Sequence, residues 1–290
     1  MSNISTTHGP TAEHRTRAGA SLVLASSLSN QTGAALGTKA FDGIGPVGVV
    51  AIRQIFTGLI LMLVIRPNLR TISAGQWVQI CALGTIFGVM NLSLYLAIDR
   101  IGLGLAVTLE FLGPLAVALC AARSAASRIC ALVAAAGVVL LCAPGPSSDV
   151  PGILLALLAA AAWASYILLN RSLGCSLPAL TGTAAASLVS GVCWIPLAIF
   201  WFSHHELPLE PVLLAVGCAL LASVFPYMSD MLALRRISAN LFGVLASLNP
   251  VWAAGLGWLM LGELLEFGQL AGMLAVVTAS VVTAALKPEI

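Results

Sequence analysis

Charge is what this chain has least of. Asp, Glu, Lys and Arg together make up 8% of its 290 residues, against roughly 25% in a soluble domain. That shortage excludes a water-solvated globule. With a mean hydropathy of +1.02 the chain has too little polar surface to cover its apolar side chains, so lipid must be part of its solvent. Short alternating segments, which a membrane-spanning strand barrel needs, are also missing; the apolar runs are long and continuous. A net charge of +2 is too small to suggest a nucleic-acid partner. The seven cysteines, at 81, 120, 130, 142, 175, 193 and 218, contain no C-x-x-C pair. They read as small apolar filler, with no disulfide framework and no metal ligands.

Enzyme signatures are equally scarce. There is no Gly-rich phosphate loop and no G-x-S-x-G elbow, and His204-His205-Glu206 lacks the H-E-x-x-H spacing that sets two ligands on one helix face. No catalytic residue, metal site or cofactor is expected. Without a nucleotide site, an ion or substrate gradient is the expected energy source for any work the chain does.

What is present is apolar length. Ten runs can be drawn, near 18–39, 45–66, 76–97, 103–121, 126–143, 150–170, 179–202, 211–233, 240–260 and 265–286. Each is roughly 18–24 residues, enough to cross ~30 Å of hydrocarbon as a helix. The joints hold turn residues, among them Gly43, Gly45, Pro67, Asn68, Pro144-Gly145-Pro146, Pro208 and Pro211. Residues 1–17 are polar and are expected to be a disordered cytoplasmic tail; no small-x-small cleavage site follows them. With the N-terminus placed inside, the cytoplasmic set of basic residues is Arg15, Arg17, Arg66, Arg70, Arg123, Arg128, Arg171, Arg235, Arg236 and Lys287. Only Lys39 and Arg100 fall outside, and Arg53 lies within a span. Insertion favours this asymmetry. It predicts a multi-pass plasma-membrane (inner-membrane) protein with both termini cytoplasmic.

The chain also resembles itself. Ala97-Ile98-Asp99-Arg100-Ile101 leads to Pro114 as Ala233-Leu234-Arg235-Arg236-Ile237 leads to Pro250, at a constant offset of 136. A five-span unit begins and ends on opposite sides of a membrane, so a second copy must be inverted. The expected architecture is all-α, with ten transmembrane helices as two inverted five-helix repeats: 18–143, a linker at 144–149, and 150–287. Transporters built this way hold their substrate near mid-membrane between the halves.

At this point a family resemblance can be given. The segment Ala106-Val107-Thr108-Leu109-Glu110-Phe111-Leu112-Gly113-Pro114-Leu115-Ala116-Val117-Ala118-Leu119 resembles the A-L-E-F-x-G-P-L-A-V-A-L stretch of bacterial threonine/homoserine exporters. These belong to the drug/metabolite transporter superfamily in its EamA-type ten-helix form. Supporting stretches are Ala162 to Leu168, Phe225-Pro226-Tyr227-Met228-Ser229-Asp230, and the L-G-E of Leu261-Gly262-Glu263. Asn249 and Asp230 depart from the pattern, each standing where those exporters carry a Glu. The resemblance implies export of a small polar amino acid, by alternating access and with the proton as coupling ion. Other small metabolites, drugs or vitamins, carried in either direction, remain open, and an intramembrane enzyme is a third, weaker reading.

Several polar residues within the spans could carry such transport. Glu110 lies mid-span, where a charged group costs roughly 2.5–3.5 kcal/mol and marks a pathway. A carboxyl there could exchange protons or bind a substrate ammonium. Pro114 lacks the N–H that would bond the Glu110 carbonyl, and Pro250 likewise frees the Ala246 carbonyl beside Asn249. Each of these kinks, with Pro226, is either a packing device or an exposed acceptor. Arg53 could pair with Glu110 or hold a substrate carboxylate in its planar fork. Asp230 could bridge to Arg235 and Arg236 at a helix end or serve proton coupling at a cytoplasmic gate. Asn30, Gln31, Trp163, Tyr166 and Tyr227 could line a cavity, although Tyr166 and Tyr227 also suit an interfacial belt. Glycines four apart, at 33 and 37, 84 and 88, and 268 and 272, read as close-packing surfaces.

Overall fold

A computed structural model describes residues 12–121, 125–141, 149–174, 177, 180–237 and 239–285. Among the described residues every regular element is helical. The elements are α1 (Ala12–Lys39), α2 (Phe41–Ile65), α3 (Ala74–Ile101), α4 (Leu103–Glu110), α5 (Leu112–Ala121), α6 (Ala125–Leu141), α7 (Val150–Gly174) and α8 (Thr181–Phe202). They continue with α9 (Leu209–Ala219), α10 (Phe225–Leu234), α11 (Ala239–Ala246), α12 (Asn249–Leu256) and α13 (Phe267–Ala285). Two stretches of π-helix extend this set, Leu220–Val224 between α9 and α10 and Gly257–Leu261 after α12.

Among the described residues six helices are long and apolar enough to cross a membrane: Phe41–Ile65, Ala74–Ile101, Val150–Asn170, Thr181–Phe202, Leu209–Leu234 and Leu241–Leu261. Leu103–Val117 and Phe267–Val282 are shorter apolar helices. Large apolar side chains cover the outside, with Leu132, Ile199, Phe200, Leu259 and Phe267 all exposed. Polar side chains such as Gln31, Arg53, Asn91, Glu110 and Asn249 are buried. This inside-out distribution is what lipid selects.

Two sequence expectations change. The polar tail is helical from Ala12, where Arg17 donates to Glu13 at 2.7 Å one turn away; an i,i+4 pair supports a helix by a few tenths of a kcal/mol. Residues 1–11 and the 144–148 part of the linker lie outside the described residues. The runs drawn as single spans at 103–121, 211–233 and 240–260 are not uniform α-helix: their bonding is interrupted at Phe111, at Leu220–Val224 and at Ser247–Leu248, although Leu209–Leu234 and Leu241–Leu261 still run on as membrane-length helices. Each interruption lies within six residues before a proline (Pro114, Pro226 or Pro250), because a missing N–H breaks the ladder on the preceding turn.

Helix starts and stops follow local chemistry. Ser73 and Gln76 form a reciprocal capping box at the head of α3. Gly102 takes φ +81° between α3 and α4, a turn that an L side chain resists. The core is built from small and β-branched residues, among them Ala35, Val49, Val50, Ala51, Ala97 and Ala106, with Tyr95 the largest fully buried side chain. One close crossing is α2 on α8. A Cβ on Gly58 would lie 2.5 Å from the Ser187 carbonyl oxygen, and one on Gly191 would lie 3.0 Å from that of Gln54. Gly33 and Gly84 make similar backbone approaches, whereas Gly268 has nothing within 4 Å.

Candidate functional site

The interrupted helices converge on a cavity of about 410 Å³, within the usual range for a small-ligand site. Glu110 closes α4 and borders the cavity together with Phe111 and Pro114. Residues from α1, α2, α3, α5, α7, α10, α11, α12 and α13 complete the wall with Ala222 of the π-helical stretch and Ser247 between α11 and α12; they include Gln31, Arg53, Asn91, Trp163, Tyr227, Asn249 and Ser280. The lining runs along the middle of α1 (Val23 to Ala34), the C-terminal half of α7 and α10 from Tyr227 to Leu234, and with Phe242 and Gly243 of α11 it reaches toward the end of the bundle where α10 turns into α11. The opposite end is tied shut. There the Glu263 carboxylate accepts the Leu103 N–H at 2.8 and 2.9 Å and the Gly104 N–H at 3.3 Å, Arg100 pairs with Asp149 at 3.0 Å, and the Trp201 indole donates to the Ile44 carbonyl at 2.9 Å.

Arg53 projects from α2 with its guanidinium fixed on three sides. Nε donates to Ser223 Oγ at 2.9 Å, one terminal nitrogen to the Tyr95 hydroxyl at 3.0 Å and the other to the Ala222 carbonyl at 2.8 Å. The cation also lies 5.3 Å from the Tyr95 ring centroid, and the Tyr95 hydroxyl is 2.9 Å from Cys218 Sγ. The Ala222 carbonyl is available because of Pro226. A proline cannot bond the carbonyl four residues back, and the π-helical turn ahead of it leaves Leu221 unpaired as well. Ser29 Oγ donates to the Leu221 carbonyl at 2.8 Å, and Arg53 takes the Ala222 carbonyl. Three of the five guanidinium N–H donors are thus used and two are left.

No carboxylate neutralises this buried cation within 4 Å among the described residues; the ion pairs there are Arg17–Glu13 and Arg100–Asp149. Glu110 is only 6% exposed, and no hydrogen bond or ion pair among the described residues holds its carboxyl. One cavity therefore carries a positioned cation and a carboxyl, with no salt bridge between them or to another described group. Burying such groups is costly unless something pairs with them.

Comparison with known proteins shows the family. Over 263 residues the chain is 34% identical to the threonine/homoserine exporter RhtA of Salmonella typhimurium strain LT2, covering 89% of each chain. Over 262 residues it is 33% identical to the threonine/homoserine exporter RhtA of Escherichia coli strain K12, covering 89% of this chain and 88% of that one. Residues 150–285 match the EamA-like transporter family. The chain belongs to that family, within the drug/metabolite transporter superfamily. A crystal structure of a protein 20% identical in sequence shares the fold, with a TM-score of 0.61 over 96% of this chain and 99% of that one. This EamA-family protein is a multi-pass membrane transporter, and its relatives are transporters rather than enzymes.

Every residue expected to bind substrate (Glu110, Arg53, Asn249, Trp163, Tyr166, Asn30 and Gln31) borders the cavity, as does Asp230. Pro114 borders it too, while Pro226 and Pro250 are buried behind it. Four open alternatives close in this EamA-family structure. Arg53 and Glu110 are not an ion pair, because Tyr95, Ser223 and Ala222 hold the guanidinium instead. Asp230 makes no bridge to Arg235 or Arg236; the Ser26 side chain of the neighbouring α1 faces it instead. Tyr166 and Tyr227 are not belt residues, since both pack on Phe87 and line the cavity. The Ala246 carbonyl freed by Pro250 is not vacant, because Asn249 Nδ2 donates to it at 2.9 Å.

The sequence reading overlooked Tyr95, Ser223, Asn91 and Ser280. A signal for the first two was available, since the proline rule applied to Pro114 and Pro250 points from Pro226 to Ala222. Nothing in the sequence marks Ser280 or Asn91 among the other polar residues of apolar helices.

Proposed function

We propose that this protein exports small polar amino acids of the threonine and homoserine kind by proton-coupled alternating access. The observation that carries the reading is the cavity's separate, unpaired Arg53 and Glu110. A zwitterion offers one group of each sign, a carboxylate for the two remaining Arg53 donors and an ammonium for Glu110. The names of the relatives supply the amino-acid class. Proton coupling is assigned to Glu110 and Asp230, the two carboxyl side chains bordering the cavity.

The moving parts are two inverted five-helix halves, residues 18–143 and 150–287, with ten spans in all and both termini cytoplasmic. Reciprocal contacts support this division. A Cβ on Gly19 would meet Ile237 and Arg236 at 2.5 and 3.0 Å, and one on Gly152 would meet Ile101 and Arg100 at 2.6 and 3.0 Å. Ile101 and Ile237 differ by the same 136 positions as the internal repeat, so each half presents the same pair to the other. The Gly58–Ser187 and Gly191–Gln54 approaches are also reciprocal, at an offset of 133 rather than 136. The helices α4 and α11, both eight residues long and both ending ahead of a proline, also start 136 positions apart. With ten basic residues inside and two outside, the cavity extends toward the cytoplasm and the tied end is outer, an arrangement suited to loading cargo for export.

The test is counterflow of labelled threonine and homoserine in proteoliposomes, with and without a pH gradient. Counterflow with neither amino acid would remove the assignment. Glu110→Gln is expected to abolish the response to the pH gradient; normal transport by this variant at every pH would refute the role of Glu110. A second reading has one observation behind it. The Tyr166, Phe87 and Tyr227 rings and the Phe111–Trp163 pair would suit a flat drug- or vitamin-like ligand, which would then compete with the amino acid.

A further inference from the structure

The cavity contains an amide chain whose orientation is set from one end. Pro250 leaves the Ala246 carbonyl without its helical donor. Asn249 supplies one, turning its Nδ2 to that oxygen at 2.9 Å. Its Oδ1 must then face away, and it accepts from Gln31 Nε2 at 3.1 Å. A flipped Gln31 would set two acceptor oxygens against each other. The proline on α12 thus determines, through two side chains, which end of Gln31 on α1 is left over.

That end is Oε1. It is buried and has no hydrogen-bond partner, on a cavity-lining residue that is 3% exposed. Unsatisfied buried acceptors are rare in folded proteins. The cavity's other polar groups divide the work by charge. A substrate carboxylate goes to Arg53 and an ammonium to Glu110, because charge-assisted bonds are the stronger ones. A neutral carbonyl oxygen is left for a neutral donor. Ser280 Oγ, also buried, unpartnered and in the cavity wall, is a further neutral group of this kind.

We propose that Gln31 Oε1 accepts the side-chain hydroxyl of the substrate, so that the cavity selects hydroxyl-bearing amino acids over apolar isosteres. The assignment rests on the amino-acid reading above and adds a specificity-determining residue to it. A site built around a hydroxyl disfavours the analogue that lacks one, because the site's own polar group then stays unpaired.

The test compares isosteric pairs, homoserine with norvaline and threonine with valine, as competitors of labelled homoserine counterflow. Wild type is expected to prefer the hydroxyl member of each pair by roughly 10–100-fold. In Gln31→Met, which keeps the length but removes the acceptor, the preference should fall to within about 3-fold. A purely structural role for Gln31 would weaken all four ligands alike and leave the ratios unchanged. Should Gln31→Met bind but not transport, the same ratios are read from ligand-induced thermal shifts in detergent. The assignment is overturned if norvaline competes as well as homoserine in wild type, or if Gln31→Met keeps the full preference. An absence of counterflow by wild type with any amino acid instead refutes the exporter reading itself.

Discussion

Removing the Glu263 carboxylate should loosen the head of α4, the helix that ends at Glu110. Glu263 comes from the α12 segment, which packs directly against α4, just after its π-helical end. It satisfies two of the N–H groups that an α-helix leaves unpaired at its start. Losing a side-chain cap costs about 0.5–2 kcal/mol, and losing a negative charge at the positive end of a helix costs about 0.3–1 kcal/mol. Because Glu263 is half-buried and water can replace part of the bond, the net cost for Glu263→Ala is about 1–2 kcal/mol. Local opening of the Leu103 and Gly104 amides should then increase by about 5–30-fold. Glu263→Gln keeps an acceptor oxygen and loses the charge, so it should increase opening by only about 2–5-fold. Amide hydrogen exchange read by mass spectrometry on a peptide spanning 100–109 gives these numbers directly. The reasoning fails if Glu263→Ala exchanges like wild type in that peptide, or if the Gln variant opens it more than the Ala variant.

Three further outcomes are expected. Tyr95→Phe removes one of the three bonds that position Arg53 and should raise KM for amino acids by about 3–30-fold with a smaller change in maximal rate, measured by counterflow; an unchanged KM would show that Arg53 does not hold the substrate. Gly58→Ala forces a Cβ onto the Ser187 backbone and should destabilise the α2–α8 crossing by about 1–3 kcal/mol, whereas Gly255→Ala, with nothing within 4 Å, should be neutral or gain up to about 1 kcal/mol; thermal inactivation of the two variants in detergent separates them. The Gly152 N–H and the Arg100 guanidinium hold the Asp149 carboxyl below its ordinary range. A depressed folded-state value means that its contribution is complete above the unfolded value near ~3.9 and is lost as pH falls below it. The stability difference between wild type and Asp149→Asn should therefore be equal at pH 6 and pH 8 and shrink only below about pH 4.

The polar lining was legible residue by residue because hydrocarbon is an unforgiving solvent. Glu110, Arg53, Asn249 and Gln31 stand out in apolar helices, and each costs too much to sit there without an interior role. The prolines were legible for the same kind of reason, since the loss of an N–H four residues from a known carbonyl is a covalent fact. What the chain alone could not convey was which partner takes each freed group. The Ala246 carbonyl goes to Asn249, its near neighbour in sequence, but the Ala222 carbonyl goes to Arg53, 169 positions away. Tyr166 and Tyr227 stayed open between two places for a related reason: an amphipathic ring satisfies an interfacial belt and a cavity wall equally well, and only the packing on Phe87 distinguishes them.

By itself, the sequence determined that this protein lives in lipid as a helical bundle, that its family is that of EamA-type transporters, and that a few polar residues matter. Apolar run length, the scarcity of charge and the E-F-x-G-P segment are local properties that survive without coordinates. Only the tertiary structure decided that Arg53 and Glu110 face one cavity without pairing, that Glu263 of L-G-E caps α4, and that Gln31 is left with a bare acceptor. Those are relations between helices far apart in the chain. In a bundle whose cores are mostly Ala, Gly, Val and Leu, many registers satisfy the same pattern until close backbone contacts, such as those at Gly58 and Gly191, select one.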